Sequence, residues 1–260
     1  MSDVLIPRPA STIMPLRDGR DGVEVLLVRR NLNSDFVGGA YVFPGGAVDA
    51  GDSALAGRVI GLDDQTASQR LGLSTGGLAY YVAALRELFE EAGLLLVSGL
   101  SDATPPSDPA GLARWREDLN ARRCTFSDLL ESTGMGLDLR GVAYLSHWVT
   151  PVGPPRRFDT RFFVVEAPSD QVAGHDEGET VAHRWMRPRD ALAAAATGAI
   201  TMILPTIRNL ESIAGFARVA EVLAWAGSPR EITRVEPRMV VRDGATVILL
   251  PGDEGYDPVD

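Results

Sequence analysis

The sequence has little cysteine and no long apolar run, and each shortage excludes a class of protein. Cys124 is the single cysteine among 260 residues, which excludes an intrachain disulfide framework and a cysteine-based zinc site. No window approaches the roughly 18 uninterrupted apolar residues of a membrane span. Residues 1–10 lack the basic start and apolar centre of a signal peptide. We therefore expect a cytoplasmic protein that does not cross a membrane.

Positive charge is also scarce. The chain has 25 basic and 35 acidic residues, a net charge of −10, and a pI of about 4.8. This balance disfavours a broad binding surface for nucleic acid or for an anionic membrane. A small phosphorylated substrate remains compatible, because metal ions and local arginines can supply the positive field. The hydrophobic content of 45% is enough for a substantial core.

Residues 77–92 predict a helix with carboxylates along one side. On a helical wheel with Glu87 at zero, Glu91 falls at about 40° and Glu90 at about 300°, opposite the apolar side chains. Like charges at this spacing cost about 0.2–0.5 kcal/mol per pair. A divalent cation turns that repulsion into attraction, since hard cations prefer clustered carboxylate oxygens. The pattern predicts a Mg²⁺-binding helix, which Gly93 is placed to end.

Around this helix the sequence alternates irregularly between strand and helix patterns. A hairpin is predicted at 11–28, and a short strand at 41–43 leads into Gly45 and Gly46. The remaining predicted elements are strands at 94–97, 137–150, 161–166 and 180–186, helices at 112–120, from 125, at 188–197 and at about 202–226, and a hairpin at 239–250.

This mixture favours an α/β fold, an α/β/α sandwich with a mixed sheet, over a regular repeat of strand and helix. We expect a single domain over 1–260. It carries a helical insertion at about 53–76 and a C-terminal extension, a helix plus a β-hairpin, at about 200–260. An ordinary packing role is favoured for the helix at 202–226 over a partner-binding role.

Two separated stretches form one motif. Gly46 is followed by five residues and Asp52, and residues 86–94 read Arg-Glu-Leu-Phe-Glu-Glu-Ala-Gly-Leu. Together they resemble the Nudix box, G-x5-E-x7-R-E-U-x-E-E-x-G-U with U aliphatic, and the second half matches at every defined position. Asp52 stands where the pattern has Glu, and 33 residues separate it from Arg86 instead of seven. The extra residues fall between loop and helix, where they can form an insertion.

Softer motifs resemble one branch of the Nudix hydrolases, the acyl-CoA diphosphatase type known from peroxisomes. They are Phe-Pro-Gly-Gly at 43–46, Arg-Arg-Phe-Asp-Thr at 156–160, and the ending at 250–256. The resemblance implies hydrolysis of CoA or acyl-CoA to 3′,5′-ADP and 4′-phosphopantetheine. Three alternatives stay open: a pyrophosphatase for ADP-ribose, NADH or another nucleoside diphosphate derivative, a non-catalytic ligand-binding or regulatory module, and messenger-RNA decapping, which the acidic balance opposes.

The resemblance also implies roles for the box residues. Glu87, Glu90 and Glu91, with the Gly46 carbonyl, would coordinate Mg²⁺ or Mn²⁺. A carbonyl can approach a metal closely where no side chain intervenes, which suits glycine. Arg86 would hold the loop acid or a neighbouring glutamate in place.

The sequence leaves more than one candidate for the general base and for the substrate contacts. Glu179, six residues before Trp185, is the first choice of base, with Glu177 and Glu87 as alternatives. The guanidinium fork suits bidentate contact with phosphate, so the proposed substrate contacts include several arginines. They are Gly45, Arg29, Arg30, Arg156, Arg157 and, on a strand, Arg161. Phe158 or Tyr41 could stack on adenine or belong to the core.

The other reactive side chains are expected to be structural. His147 and His183 lie within strand patterns, and Cys124 has no histidine near it in sequence. Dimers are common among Nudix proteins, and the sequence leaves a homodimer open.

Overall fold

A computed structural model describes residues 5–32, 37–100, 108–176, 178–242 and 244–256. The strands are β1 (Arg8–Gly19), β2 (Gly22–Arg30), β3 (Tyr41–Val42), β4 (Gly45–Ala47), β5 (Val59–Ile60), β6 (Val97–Gly99), β7 (Met135–Asp138), β8 (Ala143–Val149), β9 (Phe158–Glu166), β10 (Thr180–Met186), β11 (Arg234–Val235), β12 (Arg238–Arg242) and β13 (Ala245–Leu249). The helices are α1 (Ala50–Ala54), α2 (Asp64–Leu71), α3 (Gly77–Ala92), α4 (Pro109–Asn120), α5 (Phe126–Thr133), α6 (Pro188–Ala196), α7 (Leu204–Ile213) and α8 (Val219–Gly227).

The main sheet is mixed and is covered by helices on both faces. Its strand order is β10-β2-β1-β9-β8-β11, with β3 on β2 and β4 on β1. β1 runs parallel to β9 and antiparallel to β2. Successive strand residues point to opposite faces, so Ile13 packs with α3 while Met14 packs with α6, α7 and α8. The predicted α/β/α sandwich with a mixed sheet is confirmed.

Helix α3 crosses the sheet and carries the second half of the motif. It spans Gly77–Ala92 as predicted, and Gly93 ends it at a φ of 71°. Tyr81, Leu85 and Leu88 are fully buried in the core between α3 and the sheet. The apolar stripe fixes which side of the helix faces the sheet, and so also fixes where its carboxylates point.

The insertion after Asp52 is anchored to the start of α3. It contains a 3₁₀ turn (Leu55–Arg58), β5 and α2. One carboxylate oxygen of Asp64 accepts the Leu78 N–H at 2.9 Å, and the other accepts the Gly76 N–H at 3.0 Å. These hydrogen bonds lower the pKa of Asp64. They also satisfy amide groups that a helix N-terminus leaves unpaired.

The predicted long helix at 202–226 is wrong, because α7 and α8 are separate helices. The break covers residues 214–218, and α8 begins with its own caps. The Glu221 carboxylate accepts the N–H groups of Ala217 and Arg218, and Asp18 accepts the Val219 N–H at 2.9 Å. Asp18 lies on β1, so a distant strand sets this helix start.

The predicted strand at 94–97 is also displaced, since β6 begins at Val97. The side-chain amide of Gln171 bonds both the N–H and the carbonyl of Leu95 at 2.8 Å, which occupies the groups a strand partner would use. The predicted strand region at 137–150 divides into β7 and β8, which lie in different sheets.

The C-terminal hairpin forms as predicted and is a sheet of its own. In this hairpin β12 pairs with β13, and Met239 lies opposite Ile248. Asp243, between these two strands, lies outside the described residues. Over the part of the chain that the structure describes, every helix is too short or too polar to traverse a bilayer.

Candidate active site

The two halves of the motif meet where β4 lies over the C-terminal half of α3. β4 is held against β1, with Gly45 opposite Thr12 and Gly46 opposite Ser11. The Gly45 N–H donates to a carboxylate oxygen of Glu91 at 3.1 Å. A Cβ on Gly46 would lie 2.4 Å from Oε1 of Glu87. Only glycine leaves room for the carboxylate at this position.

Asp52 and Arg86 form a buried pair across the insertion. Arg86 Nε donates to Oδ1 of Asp52 at 2.8 Å, and a terminal nitrogen donates to Oδ2 at 3.1 Å. The Asp52 side chain is also fixed by the Asp49 N–H at 2.8 Å. Arg86 is only 9% exposed, so it is not a solvated surface residue. The shorter Asp reaches the guanidinium because Asp52 lies on α1, which packs on α3.

The other side of the Arg86 guanidinium contacts the carboxylates of α3. One terminal nitrogen donates to Glu87 at 2.7 Å and to Glu90 at 3.2 Å, and the other donates to the Ala47 carbonyl at 2.9 Å. Arg86 therefore links the glycine loop, Asp52 of α1 and two carboxylates of α3. These contacts orient the side chains that the motif brings together.

The cluster carries more negative charge than this guanidinium balances. Burial raises the pKa of Glu87 to about 7, against the lowering effect of Arg86. Burial also raises the pKa of Glu90, and raises that of Glu91 further with the help of the Glu87 charge. Burial opposes the charge on Arg86, but the bonds and charges of its acidic partners outweigh this effect and raise its pKa. Glu91 is 3% exposed, and its Oε1 has no hydrogen-bond partner.

This donor set fits a divalent cation. The described residues contain no group of three His, Cys, Asp or Glu side chains already close enough to hold a metal. Instead, Arg86 holds Glu87 and Glu90. Mg²⁺ prefers oxygen ligands. The site offers carboxylate oxygens, including the buried Oε1 of Glu91 that has no hydrogen-bond partner, and the carbonyl of Gly46. A cation here would compensate the buried charge.

Glu179 lies at the rim of a cavity of about 420 Å³ that the glycine loop also lines. It is exposed and comes directly before β10. Its carbonyl accepts the Asn31 N–H at 2.8 Å. Its charge contributes to the raised pKa of Glu87 and of Glu91, as expected for a nearby carboxylate. Glu177 lies outside the described residues.

The arginines proposed from sequence have different positions. Arg30 and Arg156 line the cavity, together with Gly45. Arg29 does not line it, and its Nε lies 3.4 Å from the Gly39 carbonyl. Arg161 is 4% exposed and forms a buried network with His147 and Asp159. Of these side chains, Arg30 and Arg156 have the best position for contact with a substrate.

The predicted phosphate contact of Arg157 does not fit its position. Its side chain is 6% exposed, and it donates to the carbonyls of Thr150, Pro151 and Leu5 and to the Glu236 carboxylate. Its hydrogen bonds therefore go to protein groups. Arg157 connects the cavity rim to the N-terminal segment and to the C-terminal extension.

Sequence reasoning named Phe158 as a candidate for stacking but missed the rest of the apolar wall of the cavity. Trp148, Phe158 and Phe162 form this wall from β8 and β9, and Pro205 and Ile248 complete it from later segments. The alternation on β9 was visible as a strand pattern. The meeting of β9 with residues 203–206 and with the hairpin was not visible in any single window of sequence.

Known proteins share both the motif and the fold. A family model described as NUDT19 Nudix domain matches residues 63–213, more than half of the chain. The acyl-coenzyme A diphosphatase NUDT19 of Homo sapiens is 27% identical over 96% of this chain and 76% of its own length. The protein of the same name from Gallus gallus is 28% identical over 90% of this chain and 72% of its own length.

A solved structure agrees with these relatives. The crystal structure of a NUDIX hydrolase from Alicyclobacillus acidocaldarius matches with a TM-score of 0.67 and 30% identity, over 86% of this chain and 99% of that chain. The carboxylate helix, the glycine loop and the buried Asp52–Arg86 pair are the features that the Nudix motif predicted. The chain belongs to the Nudix family, as a pyrophosphohydrolase of the kind described by the NUDT19 Nudix domain.

Proposed function

We propose that this protein hydrolyses the diphosphate linkage of CoA or an acyl-CoA with the help of Mg²⁺ or Mn²⁺. The products would be 3′,5′-ADP and 4′-phosphopantetheine or its acyl derivative. The observation that carries the proposal is the buried, undercompensated carboxylate cluster beside a cavity lined by Arg30 and Arg156. The names of the relatives from Homo sapiens and Gallus gallus favour CoA derivatives among the possible diphosphates.

Glu87, Glu90, Glu91 and the Gly46 carbonyl would hold the cation. When bound, a divalent cation neutralises charge on the diphosphate and lowers the pKa of a bound water. Arg86 is proposed as a positioning residue, because its guanidinium already orients Glu87 and Glu90. The charge of the cluster would then be balanced by the cation and Arg86 together.

Glu179 is proposed as the general base. Its exposed carboxylate on the cavity rim can accept a proton from the attacking water and pass it to solvent. Arg30 and Arg156 would bind the phosphates, since a guanidinium can contact two phosphate oxygens at once. The N–H of Gly45 is engaged by Glu91, so this glycine would act by shaping the loop.

The whole chain is proposed to act as one domain over 1–260. The extension after residue 200 supplies Leu204, Pro205, Pro237 and Ile248 to the cavity. Removing it would therefore open the substrate site and would also expose the core residues of the sheet that α7 and α8 cover. The insertion at 53–76 would instead stabilise the start of α3, since its Asp64 caps that helix.

The test is a hydrolysis panel with Mg²⁺ or Mn²⁺ over CoA, acyl-CoAs, ADP-ribose, NADH and dinucleoside polyphosphates, with the phosphorylated products separated by chromatography. We expect the highest kcat/KM for a CoA species, with 3′,5′-ADP identified by mass. Glu90→Gln serves as the inactive control. Preference for ADP-ribose or NADH would reject the CoA proposal but keep the diphosphatase. Turnover of none of these compounds would favour a ligand-binding module.

A further inference from the structure

The cavity beside the glycine loop becomes apolar as it leaves the carboxylate cluster. Arg30 and Glu179 line it from β2 and from the start of β10, whereas Phe162 and Trp148 line it from β9 and β8, on the other side of β1 in the sheet. Trp148 and Phe162 are 7% and 6% exposed, so their packing fixes the wall. A polar entrance followed by an apolar channel suits a ligand that is charged at one end and aliphatic at the other.

The apolar surface continues from the cavity onto the C-terminal hairpin. Ile248 of β13 lines the cavity, and Met239 lies directly opposite it on β12. Since these two residues form a cross-strand pair, their side chains lie on the same face of the hairpin. Ile248 is 51% exposed and Met239 is 45% exposed. Val241, two positions after Met239 and therefore on that face, is 74% exposed.

Polar contacts hold the hairpin in place at its base. Glu236, just before β12, pairs with the buried guanidinium of Arg157. The Tyr256 hydroxyl donates to the Glu236 carbonyl at 2.7 Å, and Arg238 donates to the Tyr256 carbonyl at 2.6 Å. Met239 also lies beside the rim turn, where a Cβ on Gly153 would be 3.0 Å from its terminal methyl. The face is therefore fixed beside the cavity while remaining open to solvent.

We infer that the apolar half of the cavity and the Met239–Ile248 face of the hairpin bind the acyl chain of the substrate. This inference rests on the proposed CoA diphosphatase function and adds a chain-length preference to it. An acyl chain leaving the channel would cover half-exposed apolar side chains and remove them from water. Each buried methylene contributes about 0.8 kcal/mol, so binding should strengthen with chain length until the hairpin face is covered.

The adenine ring is the competing occupant of this space, since aromatic walls also stack on bases. Adenine has a fixed size and polar edges that need hydrogen-bond partners. Ile248 lines the cavity and Met239 lies opposite it on the hairpin, and neither side chain offers a hydrogen-bond donor. An open-ended apolar path suits a chain of variable length better than a compact base.

The experiment compares kcat/KM for CoA, butyryl-CoA, octanoyl-CoA and decanoyl-CoA. Ile248→Thr and Met239→Thr keep strand propensity and remove apolar surface. Val172→Thr is the matched control, because Val172 is 92% exposed and does not line the cavity. We expect the wild type to prefer decanoyl-CoA over CoA by at least about tenfold. Each hairpin variant should reduce this ratio at least about threefold, and the control should leave it unchanged.

Ile248→Trp provides a second measurement that does not depend on weakened packing. A bulky ring at the channel mouth should lower kcat/KM for decanoyl-CoA more than for butyryl-CoA. Equal losses for CoA and decanoyl-CoA in all hairpin variants would place the nucleotide here and overturn the inference. Unchanged kcat/KM values for every CoA species in the hairpin variants would overturn it as well. A wild type that hydrolyses ADP-ribose but no CoA species would instead reject the proposed function, and the inference with it.

Discussion

Asp52 should be essential to the stability of this site although it is shorter than the residue the motif expects. We consider Asp52→Asn, which keeps the shape and removes the charge. An amide offers one acceptor oxygen where the carboxylate offers two. The carboxylate of Asp52 accepts from two nitrogens of Arg86 and from the Asp49 N–H. In the variant at least one of these buried donors loses its partner or faces the amide NH₂.

The magnitude follows from what Arg86 retains. Removing one partner of a buried ion pair costs about 3–5 kcal/mol when the other charge is left alone. Here Arg86 keeps Glu87 at 2.7 Å and Glu90 at 3.2 Å. We therefore expect a smaller loss, about 2–3 kcal/mol in the free energy of unfolding. For a chain of this size that corresponds to a decrease in Tm of roughly 5–10 °C.

The assay is urea unfolding at pH 7.5 without divalent cations, with Asp49→Asn as the matched control. Asp49 is 3.9 Å from Arg86, but its side chain is 70% exposed. Exposed pairs contribute about 0–1 kcal/mol, and Asn caps helices as well as Asp does, so the control should stay near the wild type. Equal stability of the two variants would refute the view that burial makes the Asp52–Arg86 pair important.

Three further outcomes are expected. Glu91→Gln should lower kcat at least about a hundredfold, a loss of about 2.7 kcal/mol in transition-state stabilisation, yet raise Tm without metal, because it removes a carboxyl group whose ionisation is opposed by burial and by the Glu87 charge. Gly46→Ala should lower kcat at least about tenfold while keeping the fold, because the added Cβ displaces the Glu87 carboxylate. His183→Gln should reduce the loss of stability between pH 7.5 and pH 5.5. Burial, His175 and Arg116 lower the pKa of His183, so the unfolded chain binds its proton at higher pH than the folded chain and acidification favours unfolding.

Each of these outcomes has a measurement that would contradict it. Thermal unfolding with and without Mg²⁺ tests Glu91→Gln. A variant that is less stable than the wild type without metal would refute the claim that the Glu91 carboxyl group destabilises the metal-free protein. Steady-state kinetics tests Gly46→Ala, and wild-type activity would show that the Glu87 carboxylate has room to move. Urea unfolding at both pH values tests His183→Gln, where a steeper loss in the variant would reverse the expected sign.

The elements whose signals are local were predictable from the sequence. The apolar stripe and Gly93 defined α3 at Gly77–Ala92, because helical periodicity over sixteen residues is a strong signal. The two hairpins followed from turn residues between alternating strands. The carboxylates and glycines of the motif were recognisable because their chemistry requires those residue types at that spacing.

Contacts between segments that are distant in sequence depend on the fold and were not predictable. Arg156 and Arg157 are neighbouring arginines with different environments. Arg156 lines the cavity, whereas Arg157 is buried against Glu236, 79 positions away. The start of α8 depends on Asp18, 201 positions away. Local patterns report which face of an element is apolar, but they do not report which partner covers it. The carboxylate helix was therefore readable from sequence, whereas the pairing of Asp52, the apolar channel and the position of the hairpin required the fold.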